Sequence, residues 1–399
     1  MGTEITLELE GLLIDYAKNY IGNDHSILFN LSNDIKTDTE EIDGDIFSSE
    51  YCETKLSLIK NRLDMLGASL YKIKKYYQQL IKNIEEDYNC TITLKFEEFY
   101  DQLKQINIPS KRDIDFTIYE NYYLPNYIKS FLIKYKSNFE CTEFEEQDSI
   151  IDVFCDSFPM YMYLRILSEN EKNEDCKLIW NFGELVQNGW IKRTDAIHPL
   201  SRDYKIILVT EGTSDLFIIE QTIKLFYSDI YDFFEFIDMK ENYPFTGVGN
   251  LYNFCLGLNK INIQNKVIAI FDNDTEGVVK YNELKSKINS NNIFILKLPF
   301  LEEFSKFNTI GPQGETIEDI NERAVSIECF LDLSIKECPQ IRWTSFNEKI
   351  KQYQGSLIAK DDYTRHFKHS LNKNRTYNYK KLKYLLDYII EEWRKHDTE

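Results

Sequence analysis

Two stretches constrain this chain more than any others: Ile206-Ile-Leu-Val-Thr-Glu211-Gly-Thr-Ser-Asp215 and Val267-Ile-Ala-Ile-Phe-Asp272-Asn-Asp274-Thr-Glu276-Gly277. Each is a run of apolar β-forming residues that ends abruptly in carboxylates, the pattern of a buried parallel strand delivering acids to the carboxyl edge of a sheet. Open α/β sheets bind ligands at that edge. No lysine or arginine stands among these acids, so they repel one another unless a cation sits between them. A divalent metal is the natural candidate.

Around these stretches the second half of the chain alternates. Strand Lys205 to Thr210 is followed by helix Ser214 to Tyr227, strand Phe234 to Met239 and a glycine loop at Gly247-Val-Gly249. Helix Asn250 to Leu258, strand Lys266 to Phe271, helix Thr275 to Asn289 and strand Asn292 to Leu298 complete the series. Such alternation predicts a small, mostly parallel sheet flanked by helices. Beyond a loop with Gly311-Pro312-Gln313-Gly314, a helix is expected to carry Ser326-Ile-Glu328, and the helix Tyr379 to Lys395 closes the chain.

The first half reads differently. Ile5, Leu7 and Leu9 alternate, Glu10-Gly11 offers a turn, and Leu12, Ile14 and Tyr16 resume the alternation, which predicts a β-hairpin. The acidic, polar run from Asp34 to Asp45 suits an exposed loop. From Glu53 to about Tyr88 apolar residues recur at three- and four-residue steps, as in a helix. Further helical stretches lie near Phe96 to Gln105, Asn126 to Tyr135, Ile150 to Glu169 and Lys177 to Asn188, and no strand is read between Glu53 and Gln187. Pro199, Ser201 and Asp203 break the pattern before the first buried strand. The expected fold is α+β to α/β and multidomain: a β-rich segment 1–50, a helical domain 51–200, an α/β domain 204–335 and a helical C-terminal extension 336–399.

With 399 residues the chain has room for two main domains. Lysine and arginine number 47 against 66 aspartate and glutamate, a formal charge of -19, which argues against indiscriminate binding to nucleic acid or anionic membrane. It does not exclude a nucleic-acid substrate, because bound metal ions and local basic patches can invert the field. Eight scattered cysteines form no CxxC pair and no zinc-type cluster, so they read as reduced thiols. No stretch has the length of an apolar membrane span, and Met1-Gly-Thr-Glu-Ile lacks the start of a signal peptide. No membrane association and a cytoplasmic location are expected.

The acids define a chemistry. Asp272 and Asp274, two apart at a strand end, can point the same way. Gly277 lets the next helix start close against the sheet, with Glu276 in its first turn. Glu211 ends a neighbouring strand, and Asp215 lies about one turn into the following helix. This is a basin of hard oxygen ligands suited to Mg2+ or Mn2+, and the reaction that needs it is phosphoryl transfer. Glu211, crowded by other carboxylates, can also serve as general acid or base.

Glu211-Gly212, the Gly247-Val-Gly249 loop and Asp272-x-Asp274-x-x-Gly277, in that order on a βαβ sheet, resemble the Toprim domain of topoisomerases, DnaG-type primases and OLD-type nucleases. Asp215 completes the Glu-x-x-x-Asp spacing of the OLD-type branch, and Ser326-Ile-Glu328 resembles its late serine and acidic ligand. The resemblance covers about Lys205 to Leu333. The whole chain also resembles the bacterial HEPN/Toprim-associated proteins, to which Gly311-Pro312-Gln313-Gly314, Arg342-Trp343-Thr344 and Tyr353-Gln354-Gly355 are similar. The resemblance implies a HEPN-like helical domain at 51–200, a Toprim catalytic domain at 204–335, nuclease activity and a role in defence against phage. It implies Glu211, Asp215, Asp272, Asp274, Glu276 and Glu328 as ligands of Mg2+ or Mn2+. It further implies Glu211 and Asp272 as catalytic groups, with Lys360 where OLD-type enzymes steady transition-state charge. The implied partners are a DNA or RNA substrate, a companion protein of a defence operon and a second copy of the chain.

Other readings stay open. Glu328 also fits the surface of an amphipathic helix and Lys360 an exposed lysine, while Trp180, Trp190 and Trp343 read as core residues. Arg193-Thr-Asp-Ala-Ile-His198 has the Arg-x4-His spacing of HEPN ribonucleases, whose mechanism needs no metal. It stands at the break before the first Toprim-like strand, with Pro199 next and Thr194 after the arginine, so a linker with a chance match is the preferred description. Three functions follow: a metal-dependent nuclease, a metal-independent ribonuclease using Arg193 and His198, and a non-catalytic Toprim interaction module of a defence complex.

Overall fold

The computed structural model describes residues 2–42, 45–110, 123–141, 147–237, 247–348, 350–372 and 376–396, and every count below refers to these. The protein is a mixed α+β structure with thirteen α-helices, divided into two compact units, residues 1–201 and 202–397. None of these helices is long and apolar enough to cross a membrane.

In the first unit β1 (Glu4–Leu9) and β2 (Leu12–Lys18) form the hairpin, turned through Glu10 and Gly11 at positive φ. The acidic segment expected to be a loop is instead largely strand. β3 (Ile35–Ile42) pairs antiparallel with β4 (Asp45–Lys55) at the edge of a sheet. Exposed Lys36 and Asp38 suit an edge strand, where charge discourages pairing with other chains.

The helix expected from Glu53 begins only at Leu56, because Glu53 to Lys55 complete β4. It is also interrupted: α1 (Leu56–Leu63) and α2 (Leu70–Tyr88) are separated by a kink where Gly67 takes φ 88°. β5 (Cys90–Ile92), α3 (Phe96–Lys104), α4 (Leu124–Leu132), β6 (Phe139–Cys141), α5 (Gln147–Ser157) and α6 (Met160–Leu167) follow. The expected single helix Ile150 to Glu169 is two helices, since Pro159 cannot continue α5 and instead precedes α6. Asp64, just past α1, and Arg165 of α6 form a buried ion pair at 2.5 Å.

The largest departure lies at Lys177 to Asn188. Its first part is β7 (Lys177–Asn181), followed by the short helices α7 (Gly183–Gln187) and α8 (Arg193–Ala196). Leu178 and Trp180 alternate into the core, and β7 is the central strand of a five-stranded antiparallel sheet ordered β2-β1-β7-β4-β3. Residues 1–50 and 51–200 are therefore not a β-segment and a separate helical bundle, for one sheet draws strands from both. Trp190, expected in the core, is 60% exposed. It follows the left-handed Gly189 on the surface.

The second unit holds β8 (Ile206–Thr210), α9 (Thr213–Phe226), β9 (Phe234–Phe236), α10 (Val248–Lys260), β10 (Lys266–Phe271), β11 (Asn273–Asp274), α11 (Thr275–Lys285) and β12 (Ile293–Lys297). β12, β10, β8 and β9 make a four-stranded parallel sheet in that order. Val267 to Phe271 are all buried, as expected of a strand covered on both faces. The predicted extension of β9 to Met239 runs outside the described residues.

Residues 336–399, expected to be helical throughout, also carry two strands. β13 (Phe307–Gly311), β14 (Gly314–Glu318), β15 (Ala324–Val325), β16 (Ile341–Asn347) and β17 (Gln352–Leu357) precede the helices α12 (Lys360–Leu371) and α13 (Lys380–His396). The order β14-β13-β16-β17 makes a second four-stranded sheet, and β15 pairs with β11. Ser326-Ile-Glu328 lies on a four-residue 3-10 turn, Ile327–Phe330, and not on an α-helix. β14 and β16 escape a periodicity reading because apolar and polar residues share their exposed faces: Glu315, Thr316 and Ile317 in one, Thr344, Ser345 and Phe346 in the other.

Candidate active site

The parallel register of β8 and β10 pairs Ile270 with Thr210, so the two strands end side by side. Glu211 and Asp272 are the next residues of each. Glu211 Oε1 accepts the backbone N–H of Asp272 at 2.9 Å, and the Glu211 carbonyl accepts from Gly247 N–H at 3.0 Å. Gly247, at φ 92°, adopts a backbone that other residues avoid as it leads into α10. Asp274 caps α11 by accepting from Gly277 N–H at 2.7 Å. A Cβ at Gly277 would lie 2.4 Å from the Asp272 carbonyl, so only glycine permits this approach of helix to strand. Asp215 stands in the first turn of α9, with Ser214 Oγ 3.3 Å from its Oδ1.

Electrostatics tie these acids together. Burial, and the charges of Asp274, Asp215 and Glu276, push the Glu211 carboxyl up to about 8. Burial and the Glu328 carboxylate raise Asp215 to about 7. Asp272 is raised well above its ordinary value by burial and by Asp215, Glu211, Asp274 and Glu328. Asp274 is raised by burial, against the hydrogen bonds it accepts from Gly277 and Gln354. Five carboxylates therefore act on one another as one charged group: Glu211, Asp215, Asp272, Asp274 and Glu328.

Glu328 is buried, accepts from Ser326 Oγ at 2.6 Å, and lies 3.4 Å from Lys360 Nζ. Burial works against the Lys360 ammonium, but Glu328, Asp272 and Asp215 outweigh it and hold its pKa above the usual value. Lys360 opens α12 and is half-buried, so it is a neighbour of the acids and not a free surface lysine. Glu276, in the first turn of α11, is exposed.

One participant was not assigned a role from sequence. Gln354 of β17 donates through Nε2 to Asp274 Oδ2, and its Oε1 accepts the backbone N–H of Glu276 at 3.2 Å. The tripeptide Tyr353-Gln354-Gly355 is visible as a motif, but its place beside Asp274, 80 residues away, depends on strand pairings that sequence spacing does not reveal.

Several hard oxygen donors near one lysine form a donor set that fits Mg2+ or Mn2+ in chemistry and charge. Among the described residues, no three histidine, cysteine, aspartate or glutamate side chains converge as a preformed ligand group. Oxygens of Glu211, Asp274 and Glu328 are engaged by Asp272 N–H, Gly277 N–H, Gln354 and Ser326.

The Arg193 and His198 pair has a different setting. Arg193 begins the four-residue α8, is more than half exposed, and forms an ion pair with Glu50 of β4. His198 is exposed beyond the end of α8. The two do not share a face of one long helix.

Residues 1–203, just over half of the 399-residue chain, match the family model described as HEPN/Toprim N-terminal domain 1. No curated protein and no solved structure matches the chain.

Proposed function

We propose a phosphodiester-cleaving function from one premise: the chain belongs to the HEPN/Toprim N-terminal domain family, and that membership suggests a nuclease-like role. The matched residues belong to the first unit, whereas the carboxylates lie in the second. The observation that carries the reading is that Glu211 and Asp272 follow the side-by-side ends of β8 and β10 with the Asp272 N–H bonded to Glu211, that Asp274 caps α11 two residues on, and that Lys360 lies 3.4 Å from Glu328. The proposed enzyme is a Toprim-type nuclease dependent on Mg2+ or Mn2+, acting on DNA or RNA, with a role in defence against phage.

In this reading Glu211, Asp215, Asp272, Asp274, Glu276 and Glu328 would hold the metal. When bound, divalent metal supplies Lewis-acid stabilisation of the attacking and leaving oxygens. Without metal, burial and the neighbouring carboxylates raise the Glu211 carboxyl to about 8; with metal bound it would be ionised and could act as a ligand or as a general base. Lys360 remains cationic and stabilises negative charge on the phosphoryl oxygens. Asp274, fixed between the α11 N-terminus and Gln354, keeps one carboxylate oriented without moving the helix.

The test is cleavage of labelled single- and double-stranded DNA and RNA by purified full-length protein with Mg2+ or Mn2+. Glu211→Ala and Asp272→Ala should each lower cleavage at least about a hundredfold, the scale for loss of a transition-state charge stabiliser. Cleavage that survives EDTA and disappears in His198→Ala would instead favour the metal-independent ribonuclease. A wild-type protein that cleaves nothing, and whose phage protection persists in both alanine variants, would remove catalysis from the second unit and leave an interaction module.

A further inference from the structure

The end of the β16–β17 hairpin differs from its base. Leu357, Gly355 and Tyr353 alternate onto one face of β17. At the base Ile341 and Leu357 are buried, and Gly355 lies against Ile341, Ala324 and Trp343. Toward the turn that cover ends. Tyr353 stands directly opposite Phe346 in the strand register, the rings meet edge to face with centroids 4.9 Å apart, and the two are 38% and 42% exposed. Behind them Trp343, 6.3 Å from Tyr353, is held by the Arg323 guanidinium 4.1 Å from its ring and by its Nε1–H donating to Glu318 at 3.1 Å. The outer rings therefore rest on a fixed support.

This aromatic end is bonded to the carboxylate basin. Thr275 Oγ1, on the first residue of α11, donates to the Tyr353 carbonyl at 3.0 Å. The next residue, Gln354, bridges Asp274 and the Glu276 N–H. Side chains alternate along β17, so the rings leave it on the face opposite the Gln354 side chain, and the link between the hairpin end and the acids runs through the strand itself.

Charge narrows the occupant. A net charge of -19 leaves little long-range attraction for a polyanion, so phosphate contacts alone would hold nucleic acid poorly. Exposed rings bind bases by stacking, which is tolerant of sequence, and a duplex hides the base faces that stacking needs.

We propose that Phe346 and Tyr353 are a stacking platform for single-stranded nucleic acid, tied to the carboxylate basin through Gln354. The proposal rests on the nuclease reading for its orientation toward the acids. Phe346 and Tyr353 contact the bases, and Gln354 is a positioning residue that holds the hairpin end against Asp274 and α11.

The experiment measures anisotropy of fluorescein-labelled oligo-dT, oligo-U and a DNA duplex of equal length against full-length protein with Ca2+ replacing Mg2+. Both single strands should bind more tightly than the duplex. The double variant Phe346→Ala, Tyr353→Ala should raise Kd at least about tenfold. The ring-preserving pair Phe346→Tyr, Tyr353→Phe should stay within about twofold of wild type on the same stacking argument. The ratio of the dT and U affinities separates DNA from RNA as the source of the strand. Equal affinity for duplex, or a double alanine variant with unchanged Kd, overturns the proposal. So does self-association in sedimentation that the double alanine variant abolishes without changing oligonucleotide Kd, because the rings would then serve a contact between copies. Cleavage of the same oligonucleotides with Mg2+ or Mn2+ is scored in parallel. Stacking-dependent binding without cleavage leaves the platform and removes the nuclease; cleavage with binding indifferent to the rings does the reverse.

Discussion

At the scale of single residues, the carboxylates of the second unit are held in a state that costs stability. Glu211 and Asp215 have folded-state values of about 8 and about 7, raised from the ordinary 4.5 and 3.8, so the folded chain binds more protons than the unfolded chain between those limits. Stability from this source is fully present below the unfolded values and is lost as pH rises through the folded ones. Without divalent metal, thermal stability should therefore decline from pH 4.5 to pH 8, and differential scanning fluorimetry across that window checks it. Asp272→Asn removes one of the repelling charges. It should flatten the decline and raise the melting temperature at pH 8 by about 2–4 °C, the shift expected for about 1 kcal/mol in a unit of this size, while abolishing cleavage. A melting temperature that climbs from pH 5 to pH 8 in metal-free wild type would show that these acids are not held protonated.

Individual elements show what the sequence makes readable. β8 and β10 are legible because a strand buried on both faces must be apolar without interruption, so the first acid marks the strand end and its carboxyl edge. β3 hides because an edge strand exposes Lys36 and Asp38, and β7 hides because Lys177-Leu-Ile-Trp-Asn continues into helical spacing. Glu211, Asp215, Asp272 and Asp274 could be grouped from local spacing. The neighbourhood of Glu328, Lys360 and Gln354 could not, since it depends on where β15, β17 and α12 fold. Two elements carry predictions of their own. The Asp64–Arg165 pair joins the end of α1 to α6 with both side chains out of solvent. Asp64→Ala leaves the buried Arg165 guanidinium with Glu169 as its ion-pair partner and should destabilise the first unit by about 1–3 kcal/mol, read as a lower midpoint in urea denaturation. Gly277→Ala places a methyl group 2.4 Å from a carbonyl oxygen, and the start of α11 must move. It should lower cleavage more than it lowers thermal stability, whereas unchanged cleavage would show that the α11 contact does not set the site.

At the scale of the whole molecule, the proposed metal has a thermodynamic signature. Metal bound to the folded carboxylates would add RT ln(1 + [L]/Kd), or about 2.7 kcal/mol at a hundredfold excess over Kd. Titration with Mg2+ or Mn2+ at pH 8 should raise the melting temperature in a saturable way, less so in Asp272→Asn, and a flat titration would count against the basin as a metal site. The carboxylates come from four separate places in the second unit: the ends of β8 and β10, the first turn of α9, and the turn after β15. Gln354 and Lys360 come later still, and the ribosome makes a chain in order. Every acid of the basin is synthesised by residue 328, yet the residue that ties Asp274 to β17 and the lysine beside Glu328 follow by 26 and 32 residues. A nascent chain thus carries these acids before it carries the groups that orient and offset them, and the arrangement is complete only once β17 and the start of α12 have been made.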